Sequence, residues 1–119
     1  MPRLISFALT AAQFLDGSKT VTRRLGWQNA VVGMELAVVQ KAMGLKKGEH
    51  PKHLGLIRVV DPRRERLDCM LADRTYGYRE CVREGFPDMS PEQFVDFFCD
   101  THPGCFPDRV ITRIEFVKL

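Results

Sequence analysis

No stretch of this chain is long or apolar enough to suggest a membrane span. The longest apolar runs, around Ala30–Met34 and Leu36–Val39, are short and separated by Gly33 and Glu35, whereas a spanning helix needs roughly 20 apolar residues. Cysteine is sparse, with four residues (Cys69, Cys81, Cys99 and Cys105). That is too few for a disulfide scaffold, and reduced thiols are expected. There is no internal repeat and no low-complexity tract. The opening "MPRLISFALT" lacks the long apolar run and small-residue cleavage site of a secretory signal, so a cytoplasmic location is the default expectation. Tryptophan occurs once, at Trp27.

What is present fits an ordinary folded unit. The 119 residues are 45% hydrophobic and 28% charged, which speaks against disorder and predicts one domain spanning residues 1–119. The net charge of +3 is unevenly spread. Residues 1–66 carry 12 Lys/Arg against 5 Asp/Glu, and residues 67–119 carry 6 against 10. A basic half beside an acidic half suggests a surface facing a polyanion, and scattered solubilising charge is the plainer alternative.

Local patterning gives a coarse order of elements. "LISFAL" reads as a strand. Thr10 with Gln13 fits a capping box, and Gly17 stops the two-turn helix that follows. "KTVTRR" predicts a strand from Thr20, "GMELAVVQKAM" another, and "GLKKGEHPKH" a loop. "LGLIRVV" and "RRERLD" read as two strands parted at Asp61-Pro62, because proline cannot donate to a ladder. "CMLADRTYGYRECVREGF" is helical in part, with a break near Gly77. "SPEQFVDFFCDTH" is the clearest helix, capped by Ser90 with Pro91 and Gln93, and burying Phe94, Val95, Phe97 and Phe98. "RVITRIEFVKL" closes the chain as a strand with Val110, Thr112, Ile114, Phe116 and Lys118 on one face. Five or six short strands without regular helical alternation predict an α+β fold on a small curled sheet or barrel.

The densest chemistry is "GSKTVTRRLGW", residues 17–27. It is either a solvated basic strand end or the floor of a site for an anionic or nucleotide-like ligand. Its Gly17, Lys19, Thr22 and Arg24 resemble the signature of the ASCH domain, a compact β-barrel of the PUA-like superfamily with the pattern Gly-x-Lys-x-x-Glu-x-Arg. The resemblance runs through "VGMELAVV", "LGLIRVVDPRRERL", "REGFPDMSPEQF" and the closing "IEF". The wording "TRRLGW", "GLKKGE" and "EGFP" is similar to ASCH proteins found among phage genes.

Thr22 stands where many ASCH members have glutamate. Lys-x-x-Thr is similar to the small ASCH amidohydrolases that remove an acetyl group from N4-acetylcytidine. The resemblance implies Lys19, Thr22 and Glu84 as catalytic residues, with Arg24 as a ligand contact and Glu80 as the alternative glutamate. Amide hydrolysis needs a nucleophile, a proton acceptor and a proton donor for the leaving amine. A threonine hydroxyl with a lysine of lowered pKa can supply these, with Arg23 and Arg24 nearby to lower it.

Two further readings stand beside this one. PUA-like folds often bind RNA, and Gly17, Arg23, Arg24, Lys46, Lys47, Lys52, Arg63, Arg64 and Arg66 could contact RNA or a modified nucleoside, with Trp27 stacking a base. The alternative for Trp27 is a half-buried cover over the barrel end. "CDTHPGC" places Cys99, His102 and Cys105 in a spacing that could present three ligands to zinc, with a fourth from Cys69, Cys81, His50 or His53. Buried free thiols are the more ordinary account, and no cofactor is expected.

Overall fold

The computed structural model of the chain describes residues 3–41 and 45–119. Among these, the elements run β1 Arg3–Ser6, α1 Ala11–Asp16, β2 Val21–Arg24, β3 Glu35–Val39, β4 His53–Arg66, α2 Cys69–Ala72, α3 Arg74–Glu84, α4 Pro91–Thr101 and β5 Val110–Lys118. The end of the strand expected over 33–43 and the start of the "GLKKGE" loop, at residues 42–44, lie outside the described residues.

The five strands form one mixed sheet in the order β1-β3-β4-β5-β2. Only β1 and β3 pair in parallel, and the other neighbours are antiparallel. The sheet curls into a half-barrel whose edges are β1 and β2, giving the α+β architecture on a small curled sheet that the strand count predicts. Period-two alternation along β5 builds two cores at once. Ile114 and Phe116 enter a cluster with Phe7, Phe14, Leu36 and Val59 inside the curl. Ile111 points the other way, beneath the helices, among Leu67, Met70, Phe94 and Phe98. Each such large side chain, fully buried, contributes about 1.5–3 kcal/mol.

Three local expectations are corrected. The Thr10–Gln13 capping box does not form, because the Gln13 side chain instead donates to the Gly85 carbonyl at 3.0 Å. The two strands parted at Asp61-Pro62 are one strand, with a shift in register between Val59 and Asp61. Proline is accommodated because β3 pairs only with His53–Arg58, so at Pro62 the missing N–H faces no strand. The helical break falls at Asp73, whose side chain accepts from the Tyr76 N–H and caps α3. The Ser90–Gln93 capping box at the start of α4 forms as expected.

Gly77 therefore lies inside α3, where the crossing helices leave no room for a side chain. A Cβ there would sit well inside contact distance of the Met70 carbonyl oxygen and 2.7 Å from Pro91 Cγ. Alanine is the better helix former by about 1 kcal/mol, but forcing α2 and α4 away costs about 1–3 kcal/mol. Gly77→Ala is thus expected to lower the urea unfolding midpoint. A raised midpoint would mean that the crossing is loose. No helix among the described residues is long and apolar enough to cross a membrane.

Candidate functional site

Two glycine-stopped helix ends meet at the start of β2. Gly17 ends α1 with φ +86° and Gly85 ends α3 with φ +98°, both in the left-handed region that glycine enters without strain. The Gln13 bond to Gly85 ties the two ends together, and the Thr20 N–H donates to the Arg83 carbonyl at 2.8 Å. The Ser18 N–H closes the turn by donating to Asp16 Oδ1, and the Lys19 N–H donates to the Gln13 carbonyl. The turn thereby aims the Lys19 side chain at the end of α3.

There Lys19 Nζ donates to the Glu84 carbonyl oxygen at 2.8 Å and to Glu84 Oε1 at 3.2 Å. Lys19 is only 4% exposed and Glu84 equally so. Burial drives the Lys19 pKa down from its ordinary value; Glu84 opposes the shift, and the positive charges of Arg24 and Arg23 reinforce it. The Thr22 hydroxyl, also buried, accepts from Arg24 Nε at 3.1 Å. Arg24 Nη2 continues to the Ser6 carbonyl oxygen on β1. One guanidinium therefore spans the gap between the two edge strands.

Ser6, Thr22 and Arg24 at that gap help line a cleft of about 290 Å³. Lys19, Thr22 and Glu84 line its buried end, with Phe7 on the strand side. Phe86, Phe94, Phe97 and Phe98 form the opposite, apolar wall, and Thr101 and His102 stand at its more exposed end. The volume is near the lower end of the roughly 300–1,000 Å³ typical of small-molecule sites. Phe7 has the Lys19 amine 5.1 Å and the Arg24 guanidinium 5.5 Å from its ring centre, so the cleft is at once aromatic and cationic.

Arg23 borders the cleft, but its guanidinium is spent on carboxylates. It donates to Glu80 at 2.7 Å and to Glu84 at 3.2 Å, with no exposure of its side chain. Glu80 is bonded from its other side by Arg113, which faces Arg23 across the β2–β5 ladder. Burial alone would raise the Glu80 pKa, yet its bonds to Arg113 and Arg23 outweigh this and hold it at about 2. Tyr76 joins the network by donating to Glu65, and burial pushes its phenol up to about 12. Lys19 and Arg23 of the basic half are thus answered by Glu80 and Glu84 of the acidic half along the β2–α3 contact.

Arg63 and Arg64 alternate along β4: Arg63 donates to the Tyr76 hydroxyl, whereas Arg64 donates to Thr112 and to the Gly26 carbonyl. Trp27 is half-buried against the inner core beneath the Arg3 guanidinium, 3.8 Å from its ring centre. Lys46 and Lys47 sit on an exposed loop, and Gly17 is exposed. The Cys99 and Cys105 sulfurs are 3.7 Å apart, while His102 Nδ1 turns to the Phe98 carbonyl. Among the described residues no group of three His, Cys, Asp or Glu side chains is placed to hold a metal ion.

Sequence reasoning missed Glu80 as a structural partner, and missed Arg113 and Tyr76 altogether. A signal existed for the first: Glu80 and Glu84, four apart, lie on one helical face and repel unless cations face them. Arg113 shares strand parity with Ile111, which placed it beneath the helices.

No protein-family model and no curated protein matches the chain. Two solved structures are similar to it. Protein EF3133 from Enterococcus faecalis V583, of the family DUF984, superposes with a TM-score of 0.68 at 16% identity, covering 100% of this chain and 80% of that one. A mutant of the ASCH protein ZmASCH from Zymomonas mobilis gives a TM-score of 0.59 at 17% identity, covering 95% and 66% respectively. The fold of this chain is ASCH-like.

Proposed function

We propose that the cleft binds a modified nucleoside and hydrolyses an acyl amide on it, with N4-acetylcytidine as the reference substrate. The observation that carries this reading is the buried Lys19 amine, held by Glu84 in the cleft that Thr22 also lines. A neutral amine has two hydrogens and one lone pair. In that form both hydrogens would stay on Glu84 and the lone pair would be left to accept a proton, and burial favours that form. The Thr22 oxygen accepts from Arg24, so its own hydrogen is free to leave.

The chemistry then balances in two steps. Thr22 Oγ attacks the acyl carbon while Lys19 takes the hydroxyl proton. The carbon–nitrogen bond breaks as Lys19 returns that proton to the departing amine. Water, deprotonated by Lys19, next attacks the acyl-threonine ester; the bond from the acyl carbon to Thr22 Oγ breaks as Lys19 returns the proton to that oxygen, and the carboxylic acid is released. Arg24, which donates to Thr22, would stabilise the charge that develops on the acyl oxygen. The aromatic wall suits a flat base, and a cleft of this size suits one nucleoside rather than a length of RNA.

The test is release of acetate from N4-acetylcytidine by the wild type and by Thr22→Ala. Turnover by the wild type that falls by about 10²-fold or more in the variant is expected if a nucleophile has been removed. Folded wild-type protein that releases no acetate would sink the hydrolase reading. Equal turnover by the variant would remove Thr22 from the mechanism.

A further inference from the structure

The cleft wall ends in a histidine that the proposed chemistry does not use. The His102 ring lies flat on Phe98, with centroids 4.2 Å apart and planes 18° apart. Its Nδ1 is 2.8 Å from the Phe98 carbonyl oxygen, one turn back along α4. Nδ1 is also 3.2 Å from Thr101 Oγ1, but that hydroxyl has its hydrogen on the Phe97 or Phe98 carbonyl. A carbonyl oxygen only accepts, so the bond to Phe98 calls for the tautomer with its proton on Nδ1, in which Nε2 carries a lone pair. Among the described residues Nε2 has no hydrogen-bond partner. Stacking and hydrogen bond together fix the ring in advance, so little freedom is lost when a ligand uses it.

The buried end of the cleft is dominated by donors: both Glu84 carboxylate oxygens are engaged, one by Lys19 and one by Arg23, and Lys19 and Arg24 contribute N–H groups. Its more exposed end carries acceptors, the His102 Nε2 lone pair and beside it the Thr101 hydroxyl oxygen.

The geometry of an acylated cytidine matches that division. The amine on C4 and the sugar on N1 lie on opposite sides of the pyrimidine ring. With the acyl group against Lys19 and Thr22 and the base along the phenylalanine wall, the sugar reaches the mouth. We infer that His102 Nε2 accepts a hydrogen bond from a sugar hydroxyl, which makes His102 the residue that selects a nucleoside over its free base. The inference rests on the nucleoside reading of the cleft.

The experiment separates the two. Dissociation constants for N4-acetylcytidine and N4-acetylcytosine are measured by calorimetry on Thr22→Ala protein, which cannot form the acyl-threonine, carrying either His102 or His102→Phe. Phenylalanine keeps the stack on Phe98 and removes the acceptor. The nucleoside Kd is expected to rise about 3- to 10-fold, the worth of one neutral hydrogen bond, with the base Kd unchanged. An equal rise for both ligands, or none for either, would overturn the role of His102 and leave the cleft assignment standing. Absence of binding by both ligands to the His102 protein would overturn the nucleoside reading and this inference with it.

Discussion

Glu80→Gln is expected to destabilise the fold by about 3–5 kcal/mol, the cost of removing one member of a buried charge cluster and leaving its partners uncompensated. The residue is 0% exposed and takes bonds from both Arg23 and Arg113. Glutamine keeps the shape and loses the charge, so two buried guanidinium groups would share what remains. Urea unfolding near neutral pH measures the cost, with Glu115→Gln as a control on a more exposed partner of Arg113. A Glu80→Gln loss no larger than the control's would mean that the network is solvated. The acid limb gives a second readout. Because the folded Glu80 pKa is depressed to about 2 from an ordinary 4.5, its stabilisation is complete above about pH 4.5 and is lost as pH falls toward 2. The glutamine variant should lack that part of the acid transition.

Lys19→Met should separate chemistry from folding. Removing a proton-transfer group lowers turnover by about 10²–10⁴-fold, and a methionine of similar length fills the space without the cost of a buried amine. The pH dependence carries the sign. The Lys19 pKa is lowered on folding, so between that value and the ordinary 10.5 the unfolded chain binds the extra proton. Stability attributable to this residue therefore rises with pH across that interval. The difference in unfolding free energy between wild type and variant should drift in favour of the wild type from pH 7 to pH 10. A variant that retains turnover would show that Lys19 only packs, and a flat difference would mean that its amine is not desolvated.

What could be read from the sequence was whatever short-range patterning determines. The Ser90 box, the Gly17 stop and the alternation of "VITRIEF" each encode their outcome within a few residues. The Lys19–Glu84 pairing was legible only through resemblance, since the two are 65 positions apart and nothing local joins them. Glu84 rather than Glu80 meets the lysine because the left-handed turn at Gly85 puts the last helical residue, not the one a turn earlier, beside the strand end. Gly77 misled because glycine usually marks a break, whereas here it marks a close helix crossing, and that is a property of the partner helices. The composition also could not show that Lys19 and Arg23 would be answered by Glu80 and Glu84 from the other half.

The unpaired seam between β1 and β2 bears on how the molecule behaves in company. A strand edge with free N–H and C=O groups is a template for another strand, and thus for self-association. Here both edges are four residues long, and Arg24 reaches across the seam from one to the other. A charged side chain and a short edge are two of the devices that discourage a neighbouring chain from docking. The same arginine that lines the cleft bridges the open seam, so Arg24→Val is expected to show first as a greater tendency to aggregate.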